Sequence, residues 1–278
     1  MRRLLLASLL AIGCRPADRP ATPPPARRIV SLAPSSTELL FALGAGDQVV
    51  GRTTWCRYPP AALRVPDVGD GLTPNIEAIV ARQPDLVVLY RSQLNETAAA
   101  QLARLGIPAV TLVQDRLEDV ARAARVLGRL TGRAGQGDSI GAAMDALLEA
   151  APPPAIARVA FVVWDNPPMV IGGGSYLDQL ATLAGGANVF RDLGAASATV
   201  SIETIAARDP DVILDLADSA GGGPAIPAYA ARREWRAVRA VRERRFITLP
   251  AELFGRPSPT APSAVAALRR ILEGAARR

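Results

Sequence analysis

Histidine and lysine are both absent from the 278 residues of this chain, and only two cysteines are present. Without an imidazole, Ser-His-Asp catalysis and histidine-based metal sites are excluded. Two cysteines are too few for a thiolate metal cluster or a disulfide framework. Composition therefore excludes Ser-His-Asp hydrolases and enzymes whose metal ion is held by histidines.

The formal charge of +6 is concentrated at the N-terminus. Residues 1–28 contain six arginines and one aspartate, a net charge of +5, which leaves +1 for the rest of the chain. Nucleic-acid binding requires basic residues clustered on the folded domain, so the composition gives no support to a nucleic-acid partner.

The first residues have the pattern of an export signal. Met1–Arg3 precede a short apolar run from Leu4 to Ile12, and a glycine and Cys14 follow. The run is too short to span a bilayer and predicts a signal peptide over residues 1–13. The residues ending at Cys14 resemble a bacterial lipobox, in which the cysteine becomes the lipidated first residue of the mature protein. The alternative is an ordinary signal peptide cut nearby, with Cys14 incidental.

Residues 14–27 are rich in proline and show no apolar periodicity, which predicts a semi-rigid tether outside the fold. If Cys14 carries the lipid, Cys56 is the single remaining thiol. It is interpreted either as a buried core residue or as a feature of a binding site.

A nine-residue segment occurs once in each half of the chain. Glu77–Asp85 and Glu203–Asp211 match at six of nine positions, lie 126 residues apart, and each precedes an apolar run. Each copy predicts a short helix ended by proline, a turn and a buried strand. The separation is too long for a solenoid and predicts two similar α/β lobes with a cleft between them.

The repeat places one acid at the same position in each lobe. Asn75 and Ser201 are favourable N-cap residues two positions before Glu77 and Glu203, so both acids are predicted in the first turn of a helix. One interpretation is that each carboxylate complements its helix dipole. The other is a matched pair of exposed charges that docks onto a symmetric partner.

The fold class indicated by the whole pattern is α/β, with two lobes built on central parallel sheets. Residues 28–130 form the predicted N-terminal lobe, residues 131–154 one long connecting helix, and residues 155–278 the C-terminal lobe.

No Gly-Lys-Ser/Thr sequence of a phosphate loop follows Gly172–Gly174, so these glycines predict a flexible turn. The main predicted strands are Arg28–Leu32, Val49–Arg52, Leu86–Tyr90, Ala109–Val113, Arg158–Val163 and Arg245–Leu249.

A series of motifs in fixed order covers residues 28–275. They are Arg28–Leu39, Tyr58–Pro60, Asn75–Glu77, Pro84–Val88, Leu105–Ile107, Asn166–Pro168, Gly185–Phe190 and Val200–Glu203. Together they resemble the helical-backbone substrate-binding proteins of ABC importers, which carry iron-siderophores, haem or cobalamin, and they are most similar to the cobalamin-binding members.

The resemblance implies a non-enzymatic monomer that holds its ligand between two lobes joined by a rigid helix, with no cofactor or metal site of its own. It implies that Glu77 and Glu203 pair with arginines of an ABC permease dimer, which works with an ATPase. The expected location is the periplasmic side of a bacterial envelope, with the protein held at the membrane by a lipid on Cys14.

The resemblance also implies a set of ligand contacts for a metal chelate such as a corrinoid. Flat apolar macrocycles bind between aromatic faces with a few polar anchors, although each aromatic residue could instead pack in a core. The expected contacts are Tyr58, Tyr90, Glu252 and Arg256, with Pro34 and Phe254 nearby, and Trp55 and Trp164 as additional candidates.

Two alternatives to a corrinoid carrier remain. In the cobalamin-binding relatives, tryptophans flank the corrin at positions that here fall near Gly69-Asp70 and Ser197. A haem or ferric-siderophore carrier of the same family is therefore the first alternative, and Tyr58 or Tyr90 could serve as an axial haem ligand. The second is a two-lobed α/β enzyme, against which stand the missing histidine, cysteine cluster and phosphate loop.

Overall fold

The computed structural model of the protein describes residues 24–216 and 227–277, so the predicted signal peptide and Cys14 lie outside the described residues. The strands are β1 (Ile29–Ser31), β2 (Val49–Arg52), β3 (Leu86–Tyr90), β4 (Ala109–Leu112), β5 (Ala157–Asp165), β6 (Pro168–Ile171), β7 (Gly186–Asn188), β8 (Ser197–Thr199), β9 (Val212–Leu216) and β10 (Phe246–Leu249). The α-helices are α1 (Pro34–Ala42), α2 (Ile76–Val80), α3 (Gln93–Arg104), α4 (Leu117–Leu130), α5 (Ala134–Glu149), α6 (Tyr176–Ala184), α7 (Ile202–Arg208), α8 (Arg239–Arg242), α9 (Ala251–Phe254) and α10 (Ala261–Ala276).

The first sheet has the strand order β2-β1-β3-β4, and all of its pairings are parallel. The central strands β1 and β3 are almost wholly buried, as expected for strands covered by helices on both faces. The α3 helix begins at Gln93, shortly after β3. Ser92 caps it, because the Ser92 hydroxyl accepts a hydrogen bond from the Asn95 N–H at 3.2 Å.

The second sheet has the order β10-β9-β5-β6-β8, and β7 also pairs with β5. The pairings among β7, β5, β9 and β10 are parallel, whereas β6 pairs antiparallel with both β5 and β8. Only two residues, 166 and 167, connect β5 to β6, and so short a connection permits a hairpin but no parallel crossover. The prediction of two α/β lobes is confirmed, with an antiparallel edge added to the second.

The repeated segment forms the same unit in both lobes. The guanidinium of Arg28 donates to the Arg82 carbonyl at 2.6 Å, and the Arg28 N–H donates to the Asp85 carboxylate at 3.0 Å. The equivalent contacts in the second lobe join Arg158 to Arg208 at 2.6 Å and Arg158 to Asp211 at 2.9 Å. Each contact fastens a helix-to-strand turn to the start of the neighbouring strand, β1 or β5. The internal repeat therefore also includes an arginine at the start of the first strand of each lobe.

An antiparallel pair of helices, α4 and α5, joins the lobes. In α4, Leu117 and Val120 belong to the core of the second lobe, whereas Ala124 and Leu127 belong to the core of the first. The α5 helix lies within the predicted connecting segment and packs closely on α4. A Cβ atom on Gly137 would lie 2.5 Å from the Ala124 carbonyl oxygen. No α-helix in residues 24–216 and 227–277 is long and apolar enough to cross a membrane.

Candidate ligand-binding cleft

The carboxyl ends of the first sheet's strands line a pocket of about 310 Å³. Parallel strands end at one edge of a sheet, so the residues that follow them converge there. Pro34 follows β1, Trp55 follows β2, and Tyr90 ends β3. The remaining lining residues are apolar or uncharged: Leu32, Ala33, Ser35, Thr53, Gly71, Leu72, Asn95 and Gln114. This edge offers a mainly apolar surface with amide and hydroxyl groups.

A second pocket of about 510 Å³ lies between the two lobes. The first lobe contributes Tyr58 and Leu63, and the second contributes Glu252 and Arg256. Pro34, Ser35 and Trp55 line both pockets, so the two cavities form one continuous cleft. The structure therefore brings together six of the eight predicted ligand contacts.

Trp55 occupies the boundary between the two pockets. Its side chain is 57% exposed, and its indole N–H donates to the Asp70 carboxylate at 3.3 Å. This hydrogen bond fixes the ring orientation and leaves most of the apolar surface open. Cys56, beside it, is fully buried and lies 3.1 Å from the Thr53 hydroxyl, which favours the core interpretation of the thiol.

Tyr90 is held by an acid at the cleft edge. Its hydroxyl donates to the Asp115 carboxylate at 2.6 Å. This hydrogen bond, together with burial and the charge of Asp115, raises the pKa of Tyr90 to about 12. Tyr90 therefore remains a neutral phenol at ordinary pH.

An ion pair connects the lobes at the bottom of the cleft. Both Nε and Nη2 of Arg256 lie 2.6 Å from the Glu38 carboxylate on α1, and the Ser258 hydroxyl donates to the same carboxylate at 2.6 Å. The Arg256 guanidinium also lies over the Tyr58 ring, 5.0 Å from its centroid. Sequence reasoning missed Glu38 as a site residue, because no local pattern indicates a partner 218 residues away.

The two remaining predicted contacts differ from expectation. Trp164 is 62% exposed at the end of β5, and its indole N–H donates to the Asn166 carbonyl, but it lines neither of the two cleft pockets. Phe254 is fully buried in the core of the second lobe, so its assignment as a ligand contact is corrected. Residues two positions apart on a helix point to opposite sides, so placing Glu252 at the cleft turns Phe254 inwards.

Exposed apolar side chains are concentrated around this cleft. Seven large hydrophobic residues are exposed in the part of the chain that the structure describes. Trp55, Leu63 and Leu72 line the two pockets, Leu94 is next to the lining residue Asn95, and Trp164 lies at the corresponding edge of the second sheet. Clustered apolar exposure marks a binding surface, in contrast to single exposed residues scattered over a protein.

The two matched acids lie at equivalent helix starts. Glu77 and Glu203 are exposed, each the second residue of its helix, and the N-caps Asn75 and Ser201 accept hydrogen bonds at 3.0 and 3.1 Å. The Glu203 N–H and the Ser201 hydroxyl hold the pKa of the Glu203 carboxyl below its ordinary value. Both predicted N-caps are confirmed.

Comparisons with known proteins identify the family of the chain. A family model described as periplasmic binding protein matches residues 29–253. The chain is similar to a vitamin B12-binding protein of Vibrio cholerae serotype O1, with 28% identity over 250 residues that cover 88% of each protein.

Solved structures share the overall fold. The crystal structure of the periplasmic vitamin B12-binding protein BtuF of Vibrio cholerae matches with a TM-score of 0.73 and 27% identity, covering 91% of this chain and 99% of the other. The periplasmic heme-binding protein RhuT from Roseiflexus sp. RS-1 matches with a TM-score of 0.74 and 27% identity, covering 90% and 99%.

Proposed function

Because this chain belongs to the periplasmic binding protein family, we propose that it captures a corrinoid in the cleft between its lobes and delivers it to an ABC permease. The observation that carries this proposal is the continuous cleft, which is lined by Pro34, Trp55, Tyr58 and Tyr90 of the first lobe and by Glu252 and Arg256 of the second. A flat macrocycle buries apolar area against such aromatic faces, while the polar groups fix its orientation.

The vitamin B12-binding relatives support the corrinoid over other chelates. A haem carrier is the second candidate, supported by the heme-binding neighbour and by tyrosines at the cleft. An axial tyrosinate at Tyr90 would first require this phenol to lose its proton beside Asp115, which its raised pKa opposes. A ferric-siderophore carrier rests on family resemblance alone.

Delivery would use Glu77 and Glu203 as docking charges, one from each lobe, for the two halves of a permease dimer that works with an ATPase. The protein would reach that permease as a periplasmic lipoprotein attached to the membrane through Cys14. Both roles rest on the repeat and on the N-terminal sequence pattern.

The visible absorption spectrum of the purified protein tests the proposed ligand. The spectrum would be recorded as isolated and again after gel filtration with added cyanocobalamin or, separately, with haemin. A corrin spectrum eluting with the protein is expected. Co-elution of haemin but not of cyanocobalamin would replace the corrinoid with haem.

A further inference from the structure

Glu38 is a buried acid of the first lobe that pairs with Arg256 of the second lobe behind the wall of the cleft. Only 3% of its side chain is exposed, and that of Arg256 is 14% exposed. One carboxylate oxygen lies 2.6 Å from both Nε and Nη2 of Arg256, and the other accepts the Ser258 hydroxyl at 2.6 Å. This carboxylate therefore binds the arginine side chain that the cleft would otherwise offer to a ligand.

Because Glu38 pairs with Arg256, the positive and negative side-chain charges along the cleft offset one another. The smaller pocket has no charged lining residue. In the larger pocket Arg57 and Glu252 have opposite signs, and the charge of Arg256 is offset by Glu38 just behind the wall. Moving a carboxylate out of water is costly unless a cation or several hydrogen-bond donors receive it. Within the described residues, this cleft suits a ligand with an uncharged rim.

Amide groups on the rim of a ligand could form hydrogen bonds with polar side chains of the smaller pocket. Asn95 and Gln114 line the smaller pocket with side-chain amides, and Ser35 lines it with a hydroxyl group. The Asn95 amide nitrogen donates to the Tyr90 carbonyl at 2.9 Å, and the Gln114 amide oxygen accepts from the Ser36 hydroxyl at 2.8 Å. The Asn95 amide oxygen, which has no partner, and the Gln114 amide nitrogen are therefore the acceptor and the donor closest in kind to a ligand amide. The smaller pocket therefore matches an amide-bearing rim and provides no cation for a carboxylate-bearing one.

We propose that Glu38 determines whether the cleft prefers a ligand with a neutral rim or one with an anionic rim. Because Glu38 neutralises the charge of Arg256, the cleft selects a chelate ring with an uncharged, amide-bearing rim over one with a carboxylate rim. This inference rests on the proposed function in that it concerns a macrocyclic ligand of the same cleft. It assigns to Glu38 a specificity role in addition to fastening the lobes.

The test uses two ligands that share one ring and differ at the rim. Dicyanocobinamide carries amides, and dicyanocobyrinic acid carries carboxylates on the same corrin. The wild-type protein is expected to bind the amide form more tightly. Glu38→Gln keeps the shape of the side chain but frees the charge of Arg256, so the carboxylate form should gain about tenfold in relative affinity, the usual scale for a hydrogen bond to a charged group.

Two further variants separate specificity from stability. Asp178→Asn removes another buried carboxylate, 3.6 Å from Arg191 and outside the cleft, and should leave the affinity ratio unchanged even if it lowers the melting temperature. Glu38→Gln combined with Arg256→Gln removes both charges of the bridge and should return the ratio towards the wild-type value.

An unchanged ratio in folded Glu38→Gln, or a wild-type preference for the carboxylate corrin, would overturn the role of Glu38. Failure of the proposed corrinoid function gives a different result, in which the wild type binds haemin and neither corrin. The same variants would then be compared with haemin and its dimethyl ester, where Glu38→Gln should shift the ratio towards the free acid, and an unchanged ratio would again overturn the role of Glu38.

Discussion

Trp55 is the residue at which the two cleft pockets meet. If a corrin ring lies against its open face, Trp55→Ala should weaken cyanocobalamin binding about tenfold or more, because an aromatic contact of this kind contributes on the order of 1 kcal/mol beyond its buried area. Leu105→Ala is the matched control, since Leu105 is equally exposed, at 57%, but follows the far end of α3. Calorimetric titration of both variants measures the effect, and equal affinities would remove Trp55 from the site.

Tyr90 provides a pH-dependent prediction. Its pKa is raised from 10.0 to about 12, so its pairing with Asp115 stabilises the fold fully below pH 10, and this contribution is lost as the pH rises through about 12. Asp115→Asn should lower the pKa of Tyr90 towards 10. Ultraviolet absorbance titration, with Tyr90→Phe as the reference that identifies the signal, measures this change. Equal titration in Asp115→Asn and wild type would show that the hydrogen bond does not hold the proton.

At the residue scale, the sequence predicted partners that are local and missed those that are distant. The N-caps Asn75 and Ser201 act within three residues, so composition and spacing predicted them. The bridge from Glu38 to Arg256 depends on how two lobes meet, which no local pattern encodes. Phe254 was misassigned because a motif gives the position of a helix residue but not the direction of its side chain.

The docking prediction concerns the two acids at the starts of the equivalent helices α2 and α7. Glu77→Ala combined with Glu203→Ala should leave folding and ligand affinity intact while uptake through the permease falls, because exposed charges on a contact surface act mainly on encounter and orientation. Asp138→Ala combined with Glu149→Ala removes two exposed acids of α5 and is the charge-matched control. Ligand binding in solution and transport in permease-containing vesicles measure the two effects.

The binding and transport assays on the Glu77 and Glu203 double variant distinguish three outcomes. Normal transport by the Glu77 and Glu203 double variant would contradict docking and leave both acids as helix-dipole partners. Loss of ligand binding would instead place them within the cleft. A salt-sensitive fall in transport, absent from the control, is the result that docking predicts.

At the scale of elements, the internal repeat predicted most of the architecture. A strand too apolar to alternate must be covered on both faces, which is how β3 and β9 are found. The antiparallel β6 and β8 were not predicted, because short edge strands such as Ser197–Thr199 have weak patterns. The connection through both α4 and α5 follows from small residues such as Gly128 and Gly137, which permit close packing that periodicity alone does not show.

At the scale of the whole molecule, the N-terminal sequence predicts a lipid anchor outside the described residues. Cys14→Ser should release the protein from the membrane fraction, since one lipid-bearing residue would supply the attachment through a tether without an apolar face. Cys56→Ala is the matched control and should remain membrane-bound, because Cys56 is a buried thiol of the first lobe. A Cys14→Ser protein that still sediments with membranes would contradict lipidation at this residue.

Calorimetric titration of the wild-type protein with cyanocobalamin measures whether the cleft between the lobes binds a corrinoid. Saturable one-to-one binding is expected, with a dissociation constant in the micromolar range or tighter, a free energy of about −8 kcal/mol. The absence of binding to cyanocobalamin and cobinamide, with tight binding of haemin under the same conditions, would contradict it.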